Sequence, residues 1–449
     1  MNPLNITIPP QAAEALRRLT AAGYEAYIVG GCVRDAMRGA EPHDWDCTTN
    51  ARPDEIARCF ADFHVIETGM QHGTVTVVID RMPLEITTFR IDGVYADHRR
   101  PESVTFTSSL TDDLSRRDFT VNAMAYAPET GLSDPFHGAD DLRAHVIRCV
   151  GCADDRFEED GLRILRAMRF ASVLDFAIDA DTADAIHRKK TLLRHISAER
   201  IFAEMQKLLC GDGCERILTE FADVLFQILP ELEPMLGFDQ RNPHHDYDVC
   251  THTLKAVAAC PKEPVLRWAA LLHDAGKPHT FTLDERGGHF YGHAEISEQI
   301  ADRALHALKS DRKTLDTVRQ LVKLHDFVWN GTEKQLRRMV SKYGYDFTVQ
   351  LLLLHKADVT AQAACHRETR AAEADRLLQM LEALRAADAC MSVRDLAVNG
   401  SDLMAIGIPQ GKAIGACLQY LLDQVMDSAL PNERGALLET AAKFFAKNA

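Results

Sequence analysis

Strand-like segments stop about a third of the way along this chain. Ala26–Val29, Gly73–Asp80 and Pro83–Phe89 are short β-branched runs bounded by turn residues, and Asp80-Arg81-Met82-Pro83 reads as a hairpin turn joining the last two. Helical patterns flank them at Gln11–Ala22 and Pro53–Phe63. From about residue 154 onward the strands vanish. Apolar residues then recur at i, i+3, i+4 and i+7, as in Leu162–Leu174, Phe202–Leu209 and Thr348–Ala357. Such a chain is expected to fold as a mixed α/β head followed by a long all-helical body. Breaks near Gly211-Asp212-Gly213, Gly237–Pro243 and Asp284–Gly288 divide that body. The expected parts are a head at 1–150, a helical neck at 151–240, a helical bundle at 241–370 and a helical tail at 371–449.

Composition narrows the function classes. With 46% hydrophobic and 26% charged residues the chain is globular, not fibrous or disordered. No apolar run reaches the roughly 18–20 residues that span a bilayer, so no membrane partner is expected. The start, Met1-Asn2-Pro3-Leu4-Asn5, has neither a basic nor an apolar stretch, so no export signal is expected. With 12 scattered cysteines, reduced thiols in the cytoplasm are the expected state. Cys149 with Cys152, and Cys210 with Cys214, have no histidine cluster at zinc-ribbon distance and read as ordinary thiols. Trp268 and Trp329 read as core. A net charge of −15 argues against a DNA-coating protein. A locally basic run, Arg188, Lys189, Lys190, Arg194 and Arg200, reads by itself as a solvated helical face.

Chemistry-bearing residues begin at the first strand. Ile28-Val29-Gly30-Gly31-Cys32-Val33-Arg34-Asp35 runs from a strand through paired glycines into a helix. Paired glycines let backbone N–H groups approach an anion, and Arg34 adds a forked donor for phosphate. Next comes His43-Asp44-Trp45-Asp46, which in an extended segment points both carboxylates to one face. Magnesium takes such hard oxygen ligands together with substrate phosphates. Glu85, in the apolar strand Leu84-Glu85-Ile86, is expected to need a partner or a metal. On a helix through residues 159–170, Asp160, Arg163 and Arg166 share one polar wedge, with Arg169 a step further.

These motifs, in this order, resemble the class II branch of the polymerase-β-like nucleotidyltransferases: the bacterial CCA-adding enzymes and their poly(A) polymerase relatives. Thr88-Phe89-Arg90 with the segment from Asp92 to Pro101 is similar to the family's flexible loop. The run from Asp113 to Ala123 is similar to its Arg-Arg-Asp motif, and Glu159 to Phe170 to its nucleotide-selecting helix. The resemblance implies a polymerase-β-like mixed sheet in the head. It implies that Asp44 and Asp46 hold magnesium, that Glu85 orients the primer hydroxyl, and that Gly31 and Arg34 hold the triphosphate. Asp160 and Arg163 would read the base of CTP or ATP, with Arg117, Arg166 and Arg169 contacting the nucleotide. tRNA would be the primer, and the basic run from Arg188 to Arg200 would lie in the RNA-contacting neck. A helical tail around Asn399-Gly400-Ser401-Asp402-Leu403 would complete the match.

A second constellation lies in the helical body. His252, the adjacent pair His273-Asp274, and Asp358 resemble the ligand pattern of the HD phosphohydrolase superfamily, with His293 and His325 available for a second metal if they converge. Imidazole and carboxylate together suit a divalent transition metal. His244-His245 read as loop residues. The head motifs equally serve a poly(A) polymerase or an enzyme adding only CC or only A, and the complete Arg90–Pro101 loop argues against CC alone. A metal-dependent HD phosphohydrolase with a nucleotide-sensing head is the alternative of a different class. A tRNA-binding module without turnover is a third, against which the three carboxylates argue.

Overall fold

A computed structural model describes residues 6–93, 103–242, 246–285, 287–387, 390–427 and 429–448. The segment from Val94 to Pro101 and the pair His244-His245 lie outside the described residues. The chain divides into two compact units, Met1–Pro230 and Glu231–Ala449.

The first unit is built on a seven-stranded mixed sheet. Its strands are β1 (Ala26–Val29), β2 (Asp46–Thr49), β3 (His64–Ile66), β4 (Thr74–Ile79), β5 (Met82–Thr88), β6 (Ala125–Ala127) and β7 (Gly131–Ser133). Their order is β3-β4-β5-β2-β1-β6-β7, and every neighbouring pair is antiparallel except β2 and β5. Alternation sorts the side chains: Val75, Val77, Ile79, Leu84 and Ile86 face the core, while Glu85 faces the other way. Glu85 is therefore exposed, and the sequence reading that an acid in this strand needs a partner is corrected by the period of the strand itself. The hairpin turn is also tighter than its four-residue reading, because Met82 and Pro83 already pair with Ile79 and Val78. Asp80 and Arg81 alone make the turn, at φ 47° and 69°, the left-handed pair that matches strand twist in a two-residue hairpin.

Helices α1 (Pro10–Ala21) and α2 (Gly31–Met37) flank the sheet, and α3 (Ala153–Glu159), α4 (Leu162–Leu174) and α5 (Ala198–Leu209) follow. α1 buries Ala12, Ala15, Leu16 and Leu19, the spacing of one helical face. The sequence reading placed Asp160 on the same helix as Arg163. The structure breaks the helix there: Asp160 is extended (φ −139°, ψ 104°), and its carboxylate accepts the Leu162 N–H at 3.0 Å. A short acid that hydrogen-bonds its own downstream backbone competes with helix continuation. A Cβ at Gly161 would press on Leu192 at 3.1 Å, so glycine is the residue that fits this break.

The second unit is helical around α6 (Val249–Ala259), α7 (Pro264–Leu272), α8 (His293–Ala307), α9 (Arg312–Leu324) and α10 (Tyr345–Thr360). Trp268 is fully buried in it, and Trp329 nearly so. Residues between Cys390 and Ala441 form their own apolar cluster around Leu403, Leu421 and Leu437. Strands do not vanish beyond residue 154. Ala177–Ile178 pairs with Val146–Ile147, and Thr282–Asp284 with Gly287–His289. Runs of two or three residues, one of them glycine-rich, are too short to carry a period-2 signal. No described helix is long and apolar enough to cross a membrane.

Candidate active site and candidate metal centre

The parallel pairing of β2 with β5 sets Asp46 beside Glu85 in register. Exposure alternates from Asp44 to Cys47, with Trp45 and Cys47 turned into the core and Asp44 and Asp46 turned out. Three carboxylates thus meet on one face. The surrounding protein, then the charges of Glu85 and Asp44, raise the Asp46 carboxyl above its ordinary range, and Arg117 pulls it back. Such like-charge crowding is what a bound cation relieves, and the donors are hard oxygens of the kind magnesium takes, although the three do not stand at the mutual metal-ligand spacing of the histidine cluster in the second unit.

The glycine turn lies against the same arginine. Gly30, at φ 82°, closes β1, and a Cβ there would stand 2.9 Å from Nη1 of Arg117. Gly31 is under no such constraint, since its Cβ would meet only Arg34 at 3.7 Å. Arg34 donates from Nη1 to Oδ1 of Asn122 at 2.6 Å and forks onto Asp35 at 2.8 and 2.9 Å. Asn122 in turn donates to Oδ1 of Asp118 at 3.1 Å. The other oxygen of Asp118 accepts both Nε and Nη2 of Arg166. Burial alone would raise the Asp118 carboxyl; the Arg166 charge and the Asn122 bond hold it well below the ordinary range. Burial lowers Arg117, whose buried Nε has no hydrogen-bond partner among the described residues.

A cavity of about 270 Å³ brings together Arg117, Asp160, Arg163 and Arg166, four of the residues expected at the nucleotide. Arg200, expected on the RNA face, also lines it and binds Oδ2 of Asp160 at 2.9 Å. Arg163 is held by Glu159 at 2.5 Å and by the Arg116 carbonyl at 2.9 Å. Arg34 and Arg169 are not among the residues lining it. Of the other basic neck residues, Arg188 pairs with Asp154, Lys189 with Glu158 and Lys190 with Asp223, while Arg194 is exposed. Sequence reasoning assigned no individual role to Asp118 or Asn122, and it read Gly30 only as half of a phosphate-approaching glycine pair, not as the glycine that Arg117 packs against. Asp118 and Asn122 stand inside the Arg-Arg-Asp motif, and only tertiary contacts reveal what they hold.

In the second unit six residues from five segments converge. His252 comes from α6, His273 and Asp274 follow α7, His293 opens α8, His325 follows α9, and Asp358 lies on α10. Each histidine has Nδ1 against a backbone carbonyl: Ala361 at 3.2 Å, Ala270 at 2.7 Å, Phe290 at 2.8 Å and Val322 at 2.7 Å, in chain order. A carbonyl only accepts, so Nδ1 carries the proton and Nε2 presents its lone pair inward. The Nε2 atoms of His293 and His325 face each other at 3.1 Å, an arrangement of two acceptors that a cation resolves. His252 and His273 approach Oδ2 of Asp274 at 3.4 and 3.1 Å, and His293 and His325 approach its Oδ1 at 3.5 and 3.6 Å. Asp358 sits 2.9 Å from Nε2 of His252. Two sets with metal-ligand spacing result, His252-His273-Asp274 and Asp274-His293-His325, sharing the Asp274 carboxylate. Lys277 reaches Asp274 at 2.7 Å at the edge of a cavity of about 300 Å³. Burial alone would raise Asp274 and Asp358; the protons that the imidazoles carry on Nε2 when no cation takes those lone pairs, and for Asp274 also Lys277, hold both well below the ordinary carboxylate range, and the two carboxylates in turn raise His273 to about 10 against its burial. Cys149 and Cys152 belong to no such set among the described residues.

Known proteins match this architecture. Residues 26–148 match the poly(A) polymerase head domain, 175–236 the RNA- and SrmB-binding region of polymerase A, and 289–441 the tRNA nucleotidyltransferase domain 2. The CCA-adding enzyme of Latilactobacillus sakei is 35% identical over 442 residues, covering 97% of this chain and 99% of the relative. That of Geobacillus kaustophilus is 49% identical over 227 residues, covering 50% of this chain and 56% of the relative. The Bacillus stearothermophilus CCA-adding enzyme in complex with CTP superposes with a TM-score of 0.72 at 30% identity, over 98% of this chain and 99% of that one. A Thermotoga maritima CCA-adding enzyme complexed with tRNA shares the fold, with a TM-score of 0.62 at 20% identity over 97% and 96%. With this sheet, this order of motifs and full-length relatives, the chain belongs to the CCA-adding enzyme family of nucleotidyltransferases.

Proposed function

We propose that the chain adds C, C and A to the 3′ end of tRNA from CTP and ATP, without a nucleic-acid template and with release of pyrophosphate. The observation that carries this reading is the register of Asp46 beside Glu85, with Asp44 on the same face and Arg117 against the glycine turn. Asp44 and Asp46 are the residues for magnesium, which when bound neutralises charge on the reacting phosphate. Glu85 orients the primer's terminal hydroxyl toward the α-phosphorus. Gly31 and Arg34 hold the triphosphate, and Arg117, Arg166 and Arg169 contact the nucleotide. The work is positioning and charge neutralisation, with no covalent intermediate. Arg188, Lys189, Lys190, Arg194 and Arg200 belong to the tRNA-facing neck, where phosphate contacts position the acceptor arm. The cytoplasm is the place of work.

The test is end-sequencing of a tRNA transcript lacking its last three nucleotides after incubation with magnesium, CTP and ATP. Products ending in CCA and no further are expected. A long A tail would make the chain a poly(A) polymerase, and CC or A alone a partial enzyme. No extension at all would defeat the reading.

Base choice provides a second expectation. Asp160 and Arg163 together present an acceptor and donors for a base edge. Asp160→Ala is expected to lower the preference for CTP over UTP by about tenfold to a hundredfold, the usual weight of a bidentate base contact. Unchanged discrimination in single-nucleotide competition assays would remove Asp160 from base reading.

A second activity is favoured by the converging histidines and the cavity beside them. His252, His273, Asp274, Asp358, His293 and His325 fit divalent transition metals, and by analogy with the HD-type pattern the activity to test is hydrolysis of a phosphoester, a metal-bearing unit without turnover being the other outcome. Phosphate release from a cyclic or monoester nucleotide, lost on chelation, is the corresponding assay.

A further inference from the structure

Three arginines expected at the nucleotide converge on a single aromatic ring. The guanidinium carbons of Arg34, Arg166 and Arg169 stand 5.0, 5.4 and 3.8 Å from the centroid of Phe170. Arg34 comes from α2 and the other two from α4, so the ring joins the glycine-turn helix to the nucleotide-selecting helix. Phe170 is itself fixed. It is 7% exposed, and it packs edge-on against fully buried Phe119 at 5.8 Å and 78°.

Each arginine is also pinned away from the ring. Arg34 is held through Asn122 to Asp118, Arg166 by the same Asp118, and Arg169 by Glu204 at 2.6 Å. A polar rail on one side and a π-face on the other leave each guanidinium little freedom. Three cations within reach of one another repel, and Arg34 and Arg166 both depress Arg169 in addition to the effect of burial. The negative face of an aromatic ring offsets that repulsion until an anion arrives. A guanidinium already in place loses less freedom when a polyphosphate binds.

We propose that Phe170 is a positioning residue for the nucleotide triphosphate, acting by holding Arg34, Arg166 and Arg169 in one constellation through its π-face. The inference rests on the reading that these arginines contact the nucleotide. It goes beyond that reading by assigning a role to a ring that has neither charge nor hydrogen-bonding group to offer the triphosphate. Because the triphosphate is common to both substrates, the effect is the same for CTP and ATP and does not alter base choice.

The experiment is steady-state extension of tRNA transcripts lacking terminal nucleotides, with KM and kcat measured for CTP and ATP in the full-length protein. Phe170→Leu is expected to raise both KM values about tenfold, equivalent to about 1.4 kcal/mol, with kcat within about twofold. Phe170→Tyr keeps the π-face and is expected to restore KM to within about twofold of the parent. Replacing Phe170 by 3,4,5-trifluorophenylalanine preserves ring and packing but weakens the quadrupole, and is expected to raise KM partway. A ring that only fills space would leave KM unmoved by fluorination, so this variant also decides the matter if Phe170→Leu fails to fold. Arg166→Ala is the control. If it raises KM while the fluorinated ring does not, the role of Phe170 is overturned and the nucleotide site stands. If neither moves KM, both fall.

Discussion

Asp44→Ala and Asp46→Ala are each expected to slow nucleotide addition by at least about a thousandfold while leaving tRNA affinity within about twofold of the parent. The carboxylates sit on the exposed face at the start of β2, so removing one deletes charge without opening the core. Asp46 is already crowded by Glu85 and Asp44, and losing one acid relieves repulsion in the free protein, so the folded state is not weakened. The loss therefore falls on the reacting complex, where phosphate charge has to be neutralised. Single-turnover extension and filter binding on the same preparations separate the two quantities. Turnover near that of the parent in either variant would sink the assignment of this face as the active site.

The second large effect belongs to the other unit. Because Asp274 is shared by both ligand sets and His325 belongs to one, the two substitutions separate the metals. About two equivalents of a divalent transition metal per chain are expected in the parent, about one in His325→Ala and close to none in Asp274→Ala. Stripping both metals with a chelator is expected to lower the melting temperature of this unit by about 10–20 °C, half of it from each metal. A metal at a hundredfold excess over its Kd stabilises by about 2.7 kcal/mol. Each kcal/mol is worth about 2–4 °C in a unit of this size. Elemental analysis and calorimetry on untreated and stripped protein check both values. A parent without metal and a melt indifferent to chelation would make the cluster a hydrogen-bonded core.

Part of this molecule can be read without coordinates. The runs at 74–79 and 82–88 are strands because their alternation matches a half-buried sheet, 26–29 is legible as a short apolar run bounded by turn residues, and amphipathic spacing marks α1 and α4 as helices. The adjacent His273-Asp274 pair also stands out, whereas His293 and His325 are two among 19 histidines until the fold brings them to the same carboxylate. The break at Asp160 was not legible. A helical period ran through it, and the competing bond from its carboxylate to the Leu162 N–H is a local choice that periodicity does not encode. Nor was the place of Arg200, which charge counting put among solvated basic residues and folding put against Asp160.

What the sequence by itself determined is the division into a sheet-bearing head and a helical body, and the chemical types present: three acids near a glycine turn, arginines after it, and imidazoles with carboxylates far downstream. Local propensity and side-chain chemistry suffice for that, because each depends on near neighbours in the chain. Only the tertiary structure decided which of these groups meet. The parallel pairing of β2 with β5 is a non-local choice, and it alone brings Asp46 to Glu85 across a sequence separation of 39. The convergence of four Nε2 lone pairs on Asp274 needs four helix ends to point inward at once, and three arginines around Phe170 need α2 to lie against α4. Packing sets those relations, through buried surfaces that no short window of sequence contains.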